Sequence, residues 1–267
     1  MVSLMNNIIL QGDCVDLLKQ IDTNSIDLTI TSPPYFNVKE YSNWATYEDY
    51  LDFLSNVFLE VLRVTKEGKF VCVNISSIIV PRINRQNESK RIALPFHFVN
   101  LMEKLNWKFI EDIIWAKPEG ASKNRNGGFF QHRQPLAYKP NVINEYIFVF
   151  QKPCNFLIDK IVRSYTGEIK EKSLINGEYE RTNIWNINPE TKSKHLAPYP
   201  EELSNKLIQY YSYHNDLVLD PFLGSGTTAI SALKNNRQFV GIEIHDEYTK
   251  MSQNRIKEEL GILIDIK

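Results

Sequence analysis

The 267-residue chain reads as an α/β protein, a mostly parallel twisted sheet covered by helices on both faces. Three observations predict it. Short apolar runs of strand length alternate with longer runs whose apolar residues recur at helical spacing. Residues 217–243 spell strand, glycine turn, helix, second strand and terminal acid, the repeating unit of doubly wound sheets. Two loops rich in Pro, Gly, Ser and Thr each follow an apolar run directly, as loops at the C-terminal ends of buried strands do.

In chain order, residues 7–11 predict a strand and 15–20 a short helix. The run Ile26-Asp27-Leu28-Thr29-Ile30 predicts a buried strand that ends at residue 31. Between 47 and 64, Tyr47, Tyr50, Leu51, Leu54, Val57, Phe58, Val61 and Leu62 fall on one face of a long helix. Residues 70–75 predict a strand and 95–105 a helix. Residues 107–115 and 146–151 predict two strands that pair as a hairpin across a long basic loop. The stretch 153–189 is polar, weakly periodic and close to charge-balanced, and reads as an insertion that helps select a target. Helices are expected at 200–213, 229–233 and 247–260, with strands at 217–219 and 239–242. The chain therefore divides into residues 1–152, an insertion at 153–190, and residues 191–267, the first and last being halves of one domain.

The loop Thr31-Ser32-Pro33-Pro34-Tyr35 is the first chemical signal. Two successive prolines fix two φ angles and remove two N–H donors, which leaves Ser32 and the Pro33 carbonyl in a stiff, acceptor-rich segment. Tyr35 adds a flat ring. Such a loop suits a planar substrate that carries an NH2 group, with acceptors on the amino hydrogens and an aromatic face on the ring. Taken alone, a proline-stiffened turn closing a strand explains it equally well.

The second signal is Asp220-Pro221-Phe222-Leu223-Gly224-Ser225-Gly226-Thr227-Thr228, between an apolar run and a helical one. Gly224 and Gly226 permit backbone conformations closed to other residues, and Thr227 and Thr228 stand where a helix begins with its free N–H groups facing a ligand. The next strand ends at Glu243, about 20 residues after the first, where nucleotide-binding α/β folds set a carboxylate against ribose hydroxyls. Together these features point to a nucleoside-type ligand. An ordinary βαβ unit with a tight turn is the plainer alternative.

The two loops together resemble the S-adenosylmethionine-dependent DNA methyltransferases that modify exocyclic amino groups. The order, with the Thr-Ser-Pro-Pro-Tyr loop N-terminal and the glycine loop C-terminal, resembles the β arrangement of that family. Further segments fall in place: Gln11-Gly12-Asp13-Cys14, Trp115-Ala116-Lys117-Pro118, residues 144–152, and His195-Leu196-Ala197-Pro198-Tyr199-Pro200-Glu201-Glu202-Leu203. The resemblance covers almost the whole chain and is weakest over roughly 80–95, 119–141 and 153–190. It implies a Rossmann-like methyltransferase fold with a seven-stranded sheet, one antiparallel hairpin and a small target-recognition insertion. It also implies S-adenosylmethionine as cofactor and double-stranded DNA as partner. Asp13 and the Cys14 backbone would contact the adenine of the cofactor, Glu243 the ribose, and Asp220 with Gly224, Ser225, Gly226 and Thr227 the methionine end. Thr31, His195, Pro200, Phe222 and Ile244 would complete the pocket. Ser32, Pro33, Pro34 and Tyr35 would be the catalytic loop. Asp13 also stands where a helix N-cap is expected.

Composition sets limits. No run of about 18 apolar residues and no cleavable signal is visible, so the expectation is a soluble cytoplasmic protein without a membrane partner. Cys14, Cys72 and Cys154 are scattered and odd in number, which suggests neither a disulfide framework nor a metal site. The same scarcity disfavours methylation at cytosine C5, which needs a cysteine thiolate. Net charge is −1, so the chain as a whole does not advertise nucleic-acid binding. Local charge does. Lys117, Lys123, Arg125, His132, Arg133 and Lys139 face only Glu119 in one irregular stretch, and Arg82, Arg85, Lys90 and Arg91 face Glu88 in another. Both read as DNA-facing loops that track phosphates, against the plainer reading as solvated faces.

The chemistry this implies is direct methyl transfer to the amino nitrogen of a flipped base. Family members with Ser at the first motif position are mostly N4-cytosine enzymes, so cytosine is preferred and N6-adenine is the alternative. A nucleic-acid-binding module without activity is a third reading, disfavoured because both motifs are intact. The sequence leaves open the recognition site, a homodimer and a cognate restriction endonuclease.

Overall fold

The structure is a computed structural model that describes residues 7–36, 44–80, 84, 86–87, 89–121, 134–138, 140–175, 177–190 and 199–267. It opens with β1 (Ile8–Gln11), α1 (Cys14–Leu18), β2 (Ile26–Thr31) and α2 (Tyr47–Val64). Next come β3 (Thr65–Ile75), the small hairpin β4 (Ile78–Val80) and β5 (Lys90–Ile92), α3 (Leu94–Lys104) and β6 (Lys108–Ala116). A 3-10 turn at Glu119–Ala121 precedes β7 (Asn144–Gln151), α4 (Ile158–Ser164), α5 (Gly167–Lys172) and β8 (Ile184–Asn186). The chain closes with α6 (Glu201–Tyr211), β9 (Leu217–Asp220), α7 (Thr227–Lys234), β10 (Gln238–Glu243), α8 (Asp246–Leu260) and β11 (Asp265–Ile266).

The main sheet has nine strands in the order β11-β1-β10-β9-β2-β3-β7-β6-β8. β7 alone runs against the rest, pairing antiparallel with β3 on one side and β6 on the other. The predicted hairpin of β6 and β7 is therefore present. The expected seven strands form the centre, and two short edge strands, β11 and β8, bring the count to nine. β8 arises inside the stretch read from sequence as an insertion, because Trp185 is buried against the core and its neighbours pair with Ile114 and Ala116.

Strand residues alternate between two core layers, as a period of two requires. Ile8, Val71, Val73, Phe148, Phe150, Leu219 and Val240 pack under the face carried by α1, α2 and α3. Ile9, Cys72, Ile147, Val149, Val218 and Phe239 pack on the opposite layer with Leu203, Leu207, Ile230 and Ile256 from α6, α7 and α8. α2 starts at a capping box in which the Thr46 hydroxyl accepts from the Asp49 N–H and the Asp49 carboxylate accepts from the Thr46 N–H. It buries Tyr50, Leu54, Val57, Phe58, Val61 and Val64 at three- and four-residue spacing. Each large apolar side chain removed from water contributes about 1.5–3 kcal/mol, so this helix is held by its buried face rather than by propensity.

Strand direction sorts the connections. The parallel strands end at one edge of the sheet, at Gln11, Thr31, Ile75, Ala116, Asp220 and Glu243, while β7 starts at that edge and ends at the other. The opposite edge carries a buried charge cluster. Lys69 Nζ donates to Asp216 Oδ2 at 2.9 Å and to the Tyr165 hydroxyl at 2.6 Å, and lies 3.2 Å from Asp27 Oδ1. Tyr165 in turn donates to Asp216 Oδ1 at 2.8 Å and stacks on Tyr213 with ring centroids 3.8 Å apart. Burial works against the charge on Lys69, yet the two carboxylates and Tyr165 hold its pKa above the usual lysine value.

Candidate active site

β2 and β9 are parallel neighbours, with Leu28 opposite Val218 and Thr29 opposite Leu219. From β9 the chain winds through α7 to β10 on one side, and from β2 it winds through α2 to β3 on the other. The order thus reverses between β2 and β9, and the crevice beyond the carboxyl ends of such strands is where open α/β sheets bind ligands. Both sequence motifs open onto it.

The glycine turn is built by internal contacts. Asp220, at the end of β9, is buried, and its Oδ1 accepts from the Thr31 hydroxyl at 2.7 Å and from the Phe222 N–H at 3.0 Å. Its Oδ2 accepts from the Thr228 hydroxyl at 2.5 Å and from the Tyr199 hydroxyl at 3.2 Å. Burial raises the Asp220 pKa, and the hydrogen bonds from Thr228, Thr31, Phe222 and Tyr199 offset part of that rise. Four internal donors occupy both oxygens. Asp220 accordingly ties the Ser32 loop, the glycine turn, α7 and the segment before α6 into one unit. Gly224 and Gly226 adopt φ of 54° and 83°. A Cβ on Gly226 would sit 2.7 Å from Ser252 Cβ and 3.2 Å from Ser252 Cα, so close packing against α8 demands glycine there as well.

Glu243 ends β10 and is buried beside the turn. Its Oε2 accepts from the Gly224 N–H at 2.9 Å and its Oε1 from the His245 N–H at 2.9 Å. On the neighbouring strand the Gly12 N–H donates to the Glu243 carbonyl at 2.9 Å, which brings Asp13 to the same crevice. Asp13 is exposed and caps α1, its Oδ1 accepting from the Val15 N–H at 2.8 Å. Ile244 is exposed next to Glu243, Phe222 is half-buried against Phe53 of α2, and Pro200 is buried at the start of α6.

The Ser32 loop leaves β2 with Ser32 and Pro34 half-buried and Pro33 buried. Tyr35 is partly buried, and its hydroxyl lies within the protein beside the Ser32 side chain, the Ser76 backbone and Glu145. Burial, then the nearby Glu145 carboxylate, pushes its pKa well above the ordinary phenol value. Glu145, the second residue of β7, forms an ion pair with Lys117, which also lies over the Trp115 ring at 4.3 Å. Asn74 Nδ2 donates to Glu145 Oε2 at 2.8 Å, and Asn74 Oδ1 is buried with no hydrogen-bond partner.

The structure thus brings Asp13, Thr31, Ser32, Pro33, Pro34, Tyr35, Asp220, Phe222, Gly224, Ser225, Gly226, Thr227 and Glu243 to the carboxyl-end edge of the adjacent strands β1, β10, β9 and β2. His195, Arg82, Arg85, Lys123, Arg125 and Arg133 lie outside the described residues. Sequence reasoning missed Arg255, whose guanidinium donates to the Ser225 carbonyl at 2.7 Å from α8. A solvated amphipathic helix offers no signal for that. It also missed the roles of Tyr199, Asn74 and the Lys117–Glu145 pair, although three of these four stand in segments that the resemblance singled out. Cys14 and Cys72 are buried, which pushes the Cys14 thiol up to about 12 and Cys72 higher still. Cys154 is half-buried and donates to the Phe156 carbonyl at the opposite edge. None of the three is an attacking thiolate at this crevice. Among the described residues no cluster of His, Cys, Asp and Glu has a metal-holding arrangement, and no helix is long and apolar enough to cross a membrane.

The profile of a family described as DNA methylase, of the N6/N4 type, matches residues 26–254. The type II beta methyltransferase M.BslI of a Bacillus strain is 30% identical over 255 residues, covering 92% of this chain, which spans only 27% of that longer protein. The type II methyltransferase M.HinfI of Haemophilus influenzae is 31% identical, over 94% of this chain and 68% of its own length. TTHA0409 of Thermus thermophilus, assigned as a DNA modification methylase, superposes with a TM-score of 0.78 at 26% identity, over 97% of this chain and 98% of that one. It has also been solved in complex with S-adenosyl-L-methionine.

Proposed function

This chain belongs to the N6/N4 DNA methylase family, and from that premise we propose that it is a site-specific DNA methyltransferase acting on the exocyclic amino group of a flipped base, N4 of cytosine. The observation that supports this most directly is the convergence of the Ser32 loop and the glycine turn at one switch point, joined through Thr31 and Asp220. Residues 1–152 would supply the catalytic half and 191–267 the cofactor half.

The crevice fits S-adenosylmethionine in its donor set. Glu243 and Asp13 offer carboxylates to hydroxyl and amino groups, and the left-handed turn through Gly224 and Gly226 turns backbone toward a ligand at the start of α7. Thr31 and Asp220 position that turn, Phe222, Pro200 and Ile244 wall the pocket, and Arg255 fixes Ser225 from behind. When bound, the cofactor supplies a methyl group made electrophilic by its sulfonium.

The amino nitrogen of a base is a poor nucleophile because its lone pair is delocalised into the ring. Ser32 Oγ and the Pro33 carbonyl accept hydrogen bonds from its two hydrogens and favour a pyramidal nitrogen whose lone pair is free to take the methyl group, the nitrogen then losing one proton to solvent. Tyr35 supports the base from the side, with its hydroxyl buried in the protein near Glu145. Removing the base from the duplex costs a few kcal/mol, offset by stacking and hydrogen bonds in the pocket. The preference for cytosine rests on Ser32 at the first motif position.

The test is methylation of duplex DNA by the purified chain with S-adenosylmethionine, followed by nucleoside mass spectrometry. N4-methylcytosine is expected, together with loss of product in Ser32→Ala while cofactor binding persists. N6-methyladenine would reverse the choice of base, and no product on any duplex would reduce the chain to a binding module.

A further inference from the structure

We propose that the Tyr35 hydroxyl and Asn74 form a hydrogen-bond relay that turns the Ser32 lone pairs toward the target amino group, with Glu145 as the positioning residue that orients it. This rests on the methyltransferase reading above and deepens it at one atom, Ser32 Oγ. A hydroxyl that accepts from an NH2 group has to aim its own hydrogen elsewhere. That hydrogen needs an acceptor inside the protein.

Strand register places Asn74 between the catalytic loop and Glu145. β2 and β3 run parallel with Thr31 opposite Val73, so Asn74 stands level with Ser32, where the loop leaves the sheet. On its other side Asn74 is opposite Ile147 of β7, and Glu145, two residues before Ile147, projects from the same face as a diagonal neighbour. Asn74 Nδ2 donates to Glu145 Oε2 at 2.8 Å, and Glu145 Oε1 is engaged by Lys117. An ionised carboxylate can only accept, so it fixes which end of the amide faces β7. Asn74 Oδ1, an acceptor, is thereby turned away from Glu145.

Two complementary groups here are buried and unpaired. Among the described residues four buried side-chain polar atoms make no hydrogen bond, and two of them are the Tyr35 hydroxyl and Asn74 Oδ1. The other two are hydroxyls, so Asn74 Oδ1 is the one of the four that can only accept. The Tyr35 hydroxyl lies beside the Ser32 side chain, the Ser76 backbone and Glu145, and Asn74 is two residues before Ser76 and bonded to Glu145. Burial and the Glu145 carboxylate keep the phenol protonated, and so a donor. Both groups are satisfied when, with a base seated on the Tyr35 ring, Tyr35 donates to Asn74 Oδ1 and Ser32 donates to the Tyr35 oxygen. Only lone pairs of Ser32 Oγ then face the amino group, and each bond of the chain polarises the next toward Glu145.

Three variants of the full chain test this through kcat and KM on duplex DNA, S-adenosylmethionine affinity and thermal unfolding. Tyr35→Phe keeps the ring and removes a hydroxyl that is unpaired before the base arrives. Its kcat is expected to fall about tenfold, with KM and cofactor affinity within about twofold of wild type and the unfolding midpoint not lowered. Glu145→Gln lets the Asn74 amide face either way, and kcat should again fall about tenfold. Combining Glu145→Gln with Asn74→Asp restores a donor at 145 and an acceptor at 74, and should return kcat to within about threefold of wild type. Wild-type kcat in Tyr35→Phe overturns the proposal, as does an exchanged pair no faster than Glu145→Gln alone. If Glu145→Gln does not fold, Tyr35→Phe decides by itself. Should the wild-type chain methylate no duplex, the methyltransferase reading fails first and carries the relay with it, whereas an active wild type with an equally active Tyr35→Phe variant removes the relay alone.

Discussion

The hydroxyl of Thr31 donates to the carboxylate of Asp220 across 2.7 Å, although the two residues are 189 positions apart in the chain. Each is the last residue of its strand, and each opens one of the two functional loops. Their bond sets the spacing between the catalytic loop and the glycine turn.

Replacing Thr31 with Val keeps the shape and removes the donor. Asp220 would retain Phe222, Thr228 and Tyr199, so the expected loss of stability is moderate, ~1.5–3 kcal/mol for a buried hydrogen bond to a charged group. Turnover should fall more than cofactor affinity, because the relation between the loops is what the bond maintains. Urea unfolding and steady-state kinetics measure the two effects. Wild-type turnover in a destabilised variant would separate the bond from catalysis.

Glu243 and Gly226 support the same turn by different means. Glu243→Gln keeps one acceptor for the Gly224 and His245 N–H groups, sets its NH2 against the other and removes the charge, so S-adenosylmethionine affinity should drop about tenfold with a loss of stability of ~1–3 kcal/mol. Gly226→Ala forces a side chain into a left-handed conformation and against Ser252, and should cost ~1–3 kcal/mol of stability as well as affinity. Calorimetric titration and thermal unfolding distinguish them. Unchanged affinity in Glu243→Gln would remove this residue from the ribose site.

Lys69→Met probes the opposite edge. Asp27 and Asp216 would lose the ammonium between them while staying buried, a change that costs ~3–5 kcal/mol when one partner of a buried pair is removed. Folded protein should bind S-adenosylmethionine as the wild type does, since the site is at the other end of the strands. Unfolding at several urea concentrations and titration below the transition check both halves of this expectation. A wild-type midpoint would mean that the cluster contributes no net stability.

Much of this molecule was legible in the chain. The alternation of periods placed nearly every central element, because a buried strand and an amphipathic helix leave local patterns that need no partner to be recognised. The two motifs were equally plain, since Pro33, Pro34, Gly224 and Gly226 are demanded by local backbone geometry. Short edge strands such as β8 and β11 carry no such pattern. Three or two residues become strand only because a neighbour presents free backbone groups, as Ile114 and Ala116 do for Ile184 and Asn186.

By itself, then, the sequence determined the fold class, the two loops and the chemistry they suggest, all of which depend on residues close together in the chain. Only the tertiary structure decided what those residues touch. It joined Thr31 to Asp220, brought Arg255 behind Ser225, set the Tyr35 hydroxyl beside Glu145, and fastened Tyr165 to Lys69 at the edge away from the site. The physical reason is strand direction. One reversed strand, β7, sends the connection that follows it to the far edge, and the expected hairpin does not by itself say which residues that connection touches there.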